Sequence, residues 1–152
     1  MVRSDYYKIY ILPNISLPNR ENSMQEIDEF QLNIYQQKLI SSLGKLRLDI
    51  TEILVRSNHS SHLLVAKLIE KMSNDELVEL SNKINIPSIS HKISEIGEID
   101  AALNNIQIGL YGLCSDCEEA ISAEQLNAQP TTQRCIKCDV KYKKQKYNHL
   151  KL

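Results

Sequence analysis

Four cysteines in two tight pairs, Cys114-Ser-Asp-Cys117 and Cys135-Ile-Lys-Cys138, constrain this chain more than any other feature. A C-x2-C turn aims two thiolates at one centre, and two such turns complete a tetrahedral four-sulfur site. The 17 intervening residues fall in the range expected of such a module, and no cysteine is left over. The expectation is therefore one zinc ion per chain, held by Cys114, Cys117, Cys135 and Cys138. Iron is the competing occupant, since tetrahedral thiolate sites take either metal. A disulfide framework would suit a secreted chain, but the early apolar run Ile9-Tyr10-Ile11-Leu12 stops at Pro13, too short for a secretory signal. A redox C-x-x-C belongs in a βαβ setting, and none is visible in this pattern. Nearby Arg134, Lys137 and Lys141 are placed to offset the negative charge of four thiolates around a divalent ion.

The remaining composition points to long helices. Of 152 residues 42% are hydrophobic, mostly Leu and Ile, with no Trp and one Phe. That usage favours aliphatic helix seams over an aromatic core. A net charge of −1 gives no global basic field announcing nucleic acid. No apolar run reaches the length of a membrane span, and unpaired thiols in metal spacing imply a reducing, cytoplasmic setting.

Along the chain four parts follow. Residues 1–22 carry Pro13, Pro18 and clustered Tyr6, Tyr7 and Tyr10, and read as a flexible leader. Residues 23–110 read as a helical hairpin. Ser23 and Glu26 make a capping box, after which Leu39, Leu43, Leu46, Ile50 and Ile53 recur in steps of four and three. Ile89, Ile93, Ile96, Leu103, Ile106 and Leu110 keep the same rhythm, with Asp100 out of character among them. Two such seams in one chain predict an antiparallel coiled coil, with a compact three- or four-helix bundle as the alternative. Between the seams, Arg56-Ser-Asn-His-Ser-Ser-His62 is polar enough to bend or break the first helix. Ser73 with Glu76 makes a second capping box, so a helix should start at Asn74. Pro87 should end or kink it. Gly109 suits a helix C-cap and Gly112 a turn before the first cysteine pair. Residues 111–140 form the metal module, and residues 141–152, rich in Lys and Tyr, a basic and helical tail.

The run IDAALNNIQIGLYGLCSDC, Ile99 to Cys117, resembles the end of the coiled coil and the first knuckle of DksA/TraR-type proteins. Ile121, Leu126-Asn-Ala128, Pro130-Thr131 and Cys135-Ile-Lys-Cys138 resemble that family's finger. The resemblance covers residues 90–140. It implies a mainly α protein, a long antiparallel helical hairpin with a small four-cysteine zinc finger at its base and a C-terminal helix. It also implies a partner, bacterial RNA polymerase, entered through its secondary channel, and an acidic coil tip that modulates initiation. A helix of about 34 residues would reach roughly 50 Å. Aligned back from Cys114, the tip falls near residues 71–76, with Asn74, Asp75 and Glu76 as the modulating residues. Three departures stand out. The family's tip offers an Asp-x-x-Asp-x-Ala arrangement that is not matched here, Glu118 stands where Gly is common, and Gln125 stands for an Arg. Where relatives hold ppGpp with basic side chains this chain has Glu98, Gln129 and Asp139, which would not attract phosphate. Regulation independent of ppGpp is the expectation.

Two other readings stay open. A zinc-ribbon nucleic-acid binder would use Arg134, Lys137 and the lysine tail on phosphates, although sequence-specific DNA binding is not expected. A zinc- or redox-responsive regulator would lose its metal under mild oxidation. Catalysis is not expected, because four cysteines close the coordination sphere and no nucleophile–base set stands out. His59 and His62 lie three apart without a third ligand and read as solvated. The chain is read as a monomer.

Overall fold

A computed structural model describes residues 27–84 and 86–149. The expected leader, and the capping box at Ser23 and Glu26, lie outside the described residues. The chain is mainly helical: α1 Glu29–Arg56, α2 Ser60–Ala66, α3 Asn74–Lys83, α4 Pro87–Gln107, α5 Ala123–Ala128 and α6 Ile136–His149. Among the described residues the only strand-like pairing is the isolated bridge between Leu113 and Ala120.

Helix α1 opens on Asp28, whose carboxylate accepts from the Gln31 N–H over 2.7 Å and so satisfies one of the unpaired donors of the first turn. The expected seam is buried along most of its length, but Ile53 and Ile106 are only half-buried and Leu110, beyond the end of α4, is 48% exposed. Leu39, Leu43, Leu46 and Ile50 of α1 pack in one core with Ile89, Ile93, Ile96, Ile99 and Leu103 of α4. Lys92 Nζ reaches Asp49 Oδ2 over 2.7 Å across the pair, fixing its antiparallel register. Tyr35 extends the seam one turn earlier than the leucines suggest, at 2% exposure.

The hairpin is not one uninterrupted coil. Helix α1 ends at Arg56, where Ser57 Oγ donates to the Leu54 carbonyl and Asn58 turns left-handed at φ 55°. Asn tolerates that conformation because its short polar side chain bonds locally. The polar run after Arg56 thus breaks the helix, and the apolar residues that follow it fold back. Helix α2 packs on α1, and the segment from Ala66 to Ile69 enters the same core. Helix α3 starts at Asn74 behind the Ser73–Glu76 capping box, as the sequence indicates, and packs on α4 through Leu77 and Leu80. Pro87 occupies the first turn of α4, where its missing N–H costs nothing.

This doubling back displaces the expected tip. Arg47 Nη1 donates to the carbonyls of Ile69 (2.6 Å) and Met72 (3.0 Å), and its Nη2 to Asn74 Oδ1 (2.9 Å). Residues 71–76 therefore lie beside the middle of α1 rather than at a hairpin end. Nine residues separate Arg47 from Arg56, about 14 Å of helix. The chain reverses at that end at residues 57–59 and again between α3 and α4. Helix α1, with 28 residues, spans about 42 Å, and beyond Arg47 the molecule is four helices thick.

Candidate metal centre and acidic helix start

Gly109 and Gly112 steer the chain out of α4 with φ of 73° and 86°, the left-handed conformations that glycine adopts freely. A Cβ at Gly112 would also come within 2.5 Å of Ile27 Cδ1, so no larger residue fits there without displacement. The first knuckle then closes by two backbone bonds, Cys114 N–H to Glu119 O (2.8 Å) and Glu118 N–H to Cys114 O (2.9 Å). Closing it holds Glu118 at φ 58°. A side chain in that region costs on the order of 1 kcal/mol, which a glycine would avoid. Ser115 ties the knuckles together: both its N–H and its hydroxyl donate to the Gln133 carbonyl, over 2.8 and 2.9 Å. The second pair straddles the start of α6, where the Asp139 N–H donates to Cys135 O.

The result is one centre. Each of the four Sγ atoms lies within 4.8 Å of the others, and Cys117 and Cys135 stand 3.9 Å apart. A zinc ion with bonds of about 2.3 Å in tetrahedral geometry requires sulfurs about 3.8 Å apart, so the donor set fits. Electrostatics agree. Burial alone would raise the Cys114 thiol, but N–H groups of Cys135, Asp116 and Cys117 outweigh it and bring the thiol down to about 6. The neighbouring sulfurs of Cys117 and Cys135, with burial, push Cys138 up to about 12. Four sulfurs this close cannot all ionise unaided; a divalent cation among them lifts the conflict. The donor set suits one zinc ion, which Cys114, Cys117, Cys135 and Cys138 would hold through four thiolates.

Among the basic neighbours Arg134 has a structural part as well. Arg134 Nε bonds Asp116 Oδ2 over 3.0 Å, and its guanidinium lies 4.1 Å from the Tyr142 ring centre. It braces α6 against the first knuckle. Helix α6 begins at residue 136, inside the metal module, and Lys141, Lys143, Lys144 and Lys146 along it are exposed.

The finger is bolted to the hairpin base by residues that the seam analysis passed over. Tyr35 of α1 packs with Cys114, Ile121, Leu126 and Cys138, and its hydroxyl donates to Asn127 Oδ1 over 3.0 Å. Its ring meets that of Tyr111 at 5.6 Å, and the Tyr111 hydroxyl donates to the Pro130 carbonyl over 2.8 Å. Position 35, one turn before Leu39, was the available signal.

The expected modulating residues divide. Asn74 is half-buried, bonded to Arg47 on one side and to Asp100 Oδ1 on the other (2.7 Å). Asp75 and Glu76 are exposed. Glu76 closes its capping box by accepting from the Ser73 N–H over 2.6 Å, which with the Ser73 hydroxyl holds its carboxyl below the usual value. Of the three positions noted for ppGpp, Asp139 pairs with Lys143 over 2.7 Å and Gln129 reaches Thr131 Oγ1 over 3.4 Å.

Comparison with known proteins agrees with this architecture. The prokaryotic DksA/TraR C4-type zinc finger matches residues 109–144. An uncharacterised protein of Aquifex aeolicus (strain VF5) is 45% identical over 47 residues, 31% of this chain and 32% of that relative, so the similarity spans about a third of its length. The solved structure of transcription factor DksA2 from Pseudomonas aeruginosa superposes with a TM-score of 0.53 at 20% identity, over 80% of this chain and 90% of that one. That likeness is one of fold. Residues 109–144 thus form a prokaryotic DksA/TraR C4-type zinc finger, carried on a helical hairpin whose fold the DksA2 structure shares.

Proposed function

We propose that this protein is a DksA-like transcription regulator that acts on bacterial RNA polymerase as a monomer in the cytoplasm, without catalysis of its own. The observation that carries this reading is the antiparallel α1–α4 pair closed at its base by a metal finger, an arrangement that projects a helical rod from a rigid foot. In this reading the rod enters the secondary channel and the finger with α6 rests on the rim. Among the described residues no helix is long and apolar enough to cross a membrane.

Asp75 and Glu76 supply the modulating charge. Their exposed carboxylates stand at the head of α3, on the flank of the rod, so they act sideways on whatever polymerase element borders it. Regulation is independent of ppGpp, because Glu98, Gln129 and Asp139 offer no positive charge to a phosphate.

Transcription initiated by purified polymerase in the presence of the zinc-loaded chain tests this. Addition of the chain should change promoter output. Asp75→Asn with Glu76→Gln should abolish the change while leaving polymerase binding near the parent's, since Gln can still close the capping box. Retained activity in the double variant would remove these two residues from the account. A chain that binds DNA without polymerase, with affinity falling steeply as salt rises, would favour the nucleic-acid reading of the α6 lysines instead.

A further inference from the structure

At the end of the rod opposite the finger, His59, the N-cap of α2, and His62 in its first turn have ring centres 5.2 Å apart and planes at 66°. His59 is exposed and His62 half-buried. Ser57 Oγ donates its one hydrogen to the Leu54 carbonyl (2.7 Å) and lies 2.6 Å from His62 Nδ1. With the hydroxyl hydrogen committed, that contact requires Nδ1 to be the donor. A neutral His62 ring is then held in the tautomer whose Nε2 carries the free lone pair. A hydrogen bond at the second nitrogen is what orients and tunes an imidazole ligand.

The ring separation matches chelation. A metal ion sits in the ring plane about 2.0–2.1 Å from nitrogen, hence about 3.2 Å from the ring centre, and two imidazoles on one tetrahedral ion have centres about 5 Å apart. We propose that His59 and His62 form a second, two-imidazole site for a borderline divalent transition metal, zinc, nickel or copper class, completed by water. Imidazole suits these ions, whereas magnesium and calcium prefer oxygen. Occupancy would pin the left-handed Asn58 turn and stiffen the end of the rod farthest from the finger.

Nickel ions serve as the probe, titrated calorimetrically into the zinc-loaded full chain carrying His91→Ala and His149→Ala, so that no other imidazole contributes. The expected result is saturable uptake of one nickel per chain with no zinc released to a chromophoric chelator. His59→Ala and His62→Ala should each weaken uptake by more than about tenfold, and Ser57→Ala, which removes the group orienting His62 along with its bond to the Leu54 carbonyl, by about tenfold. Circular dichroism checks that each variant keeps its helices. Absent uptake, uptake indifferent to His59→Ala and His62→Ala, or uptake matched by zinc release would each overturn the site.

Discussion

Asn74 Nδ2 donates to Asp100 Oδ1 over 2.7 Å, joining the first residue of α3 to the middle of α4. The same amide's oxygen accepts from Arg47 of α1, so one side chain bridges three helices. This explains why an acidic residue interrupts the Ile and Leu rhythm of α4: the position faces a polar clamp, not the aliphatic seam. Asn74→Ala should lower stability by roughly 1–3 kcal/mol, the usual result of stripping partners from partly buried polar groups. Chemical denaturation of the two proteins measures it. A change within error would show that the amide is dispensable to the bundle.

The Ser73–Glu76 box gives a pH signature. Glu76 titrates below its ordinary 4.5 because the Ser73 N–H and hydroxyl favour its carboxylate. Its contribution is therefore fully present above pH 4.5 and disappears as pH falls through the lowered value. Glu76→Gln, which can accept the same bond but cannot titrate, should remove this acid-side loss of stability. Thermal midpoints from pH 7 down to pH 3 compare the two chains.

Tyr35 ties finger to hairpin in two separable ways. Tyr35→Phe removes only the bond to Asn127 and should cost about 1 kcal/mol. Tyr35→Ala also empties a site 2% exposed and should cost on the order of 3–5 kcal/mol. If both variants lose the same amount, ring packing at this junction contributes nothing.

The zinc centre predicts opposite outcomes for two neighbouring changes. Cys135→Ser should strip the ion and release the finger from Tyr35, since structural zinc in finger peptides is worth on the order of 10 kcal/mol of folding. Glu118→Gly, which relieves the left-handed φ of 58°, should slow zinc loss to a chelator. Elemental analysis of the parent should find one zinc per chain, and iron-type absorbance in its place would contradict the assignment.

Much of this was legible in residue order. Cysteine spacing specifies the finger because chelation geometry leaves little freedom, and the capping box at Ser73 and the φ-permissive Gly109 and Gly112 mark their boundaries locally. The rod was less legible. A seam of Leu and Ile shows that α1 needs an apolar partner, but α2, α3 and α4 all offer one. The polar run after Arg56 marks the break, but where the returning chain docks is not marked: Arg47 bonds the carbonyls of Ile69 and Met72, contacts 22 and 25 residues distant that no periodicity encodes. Those contacts place Asn74 between Arg47 and Asp100 and the expected tip near 71–76 on the flank.

The central claim is that a metal-locked helical rod engages RNA polymerase through its secondary channel. The most direct measurement is capture of purified core polymerase by the immobilised zinc-loaded chain, with and without an excess of another secondary-channel factor. The account predicts that polymerase is retained, that the competitor displaces it, and that Cys135→Ser abolishes retention. Failure to retain polymerase, or retention that the competitor leaves untouched, would contradict it.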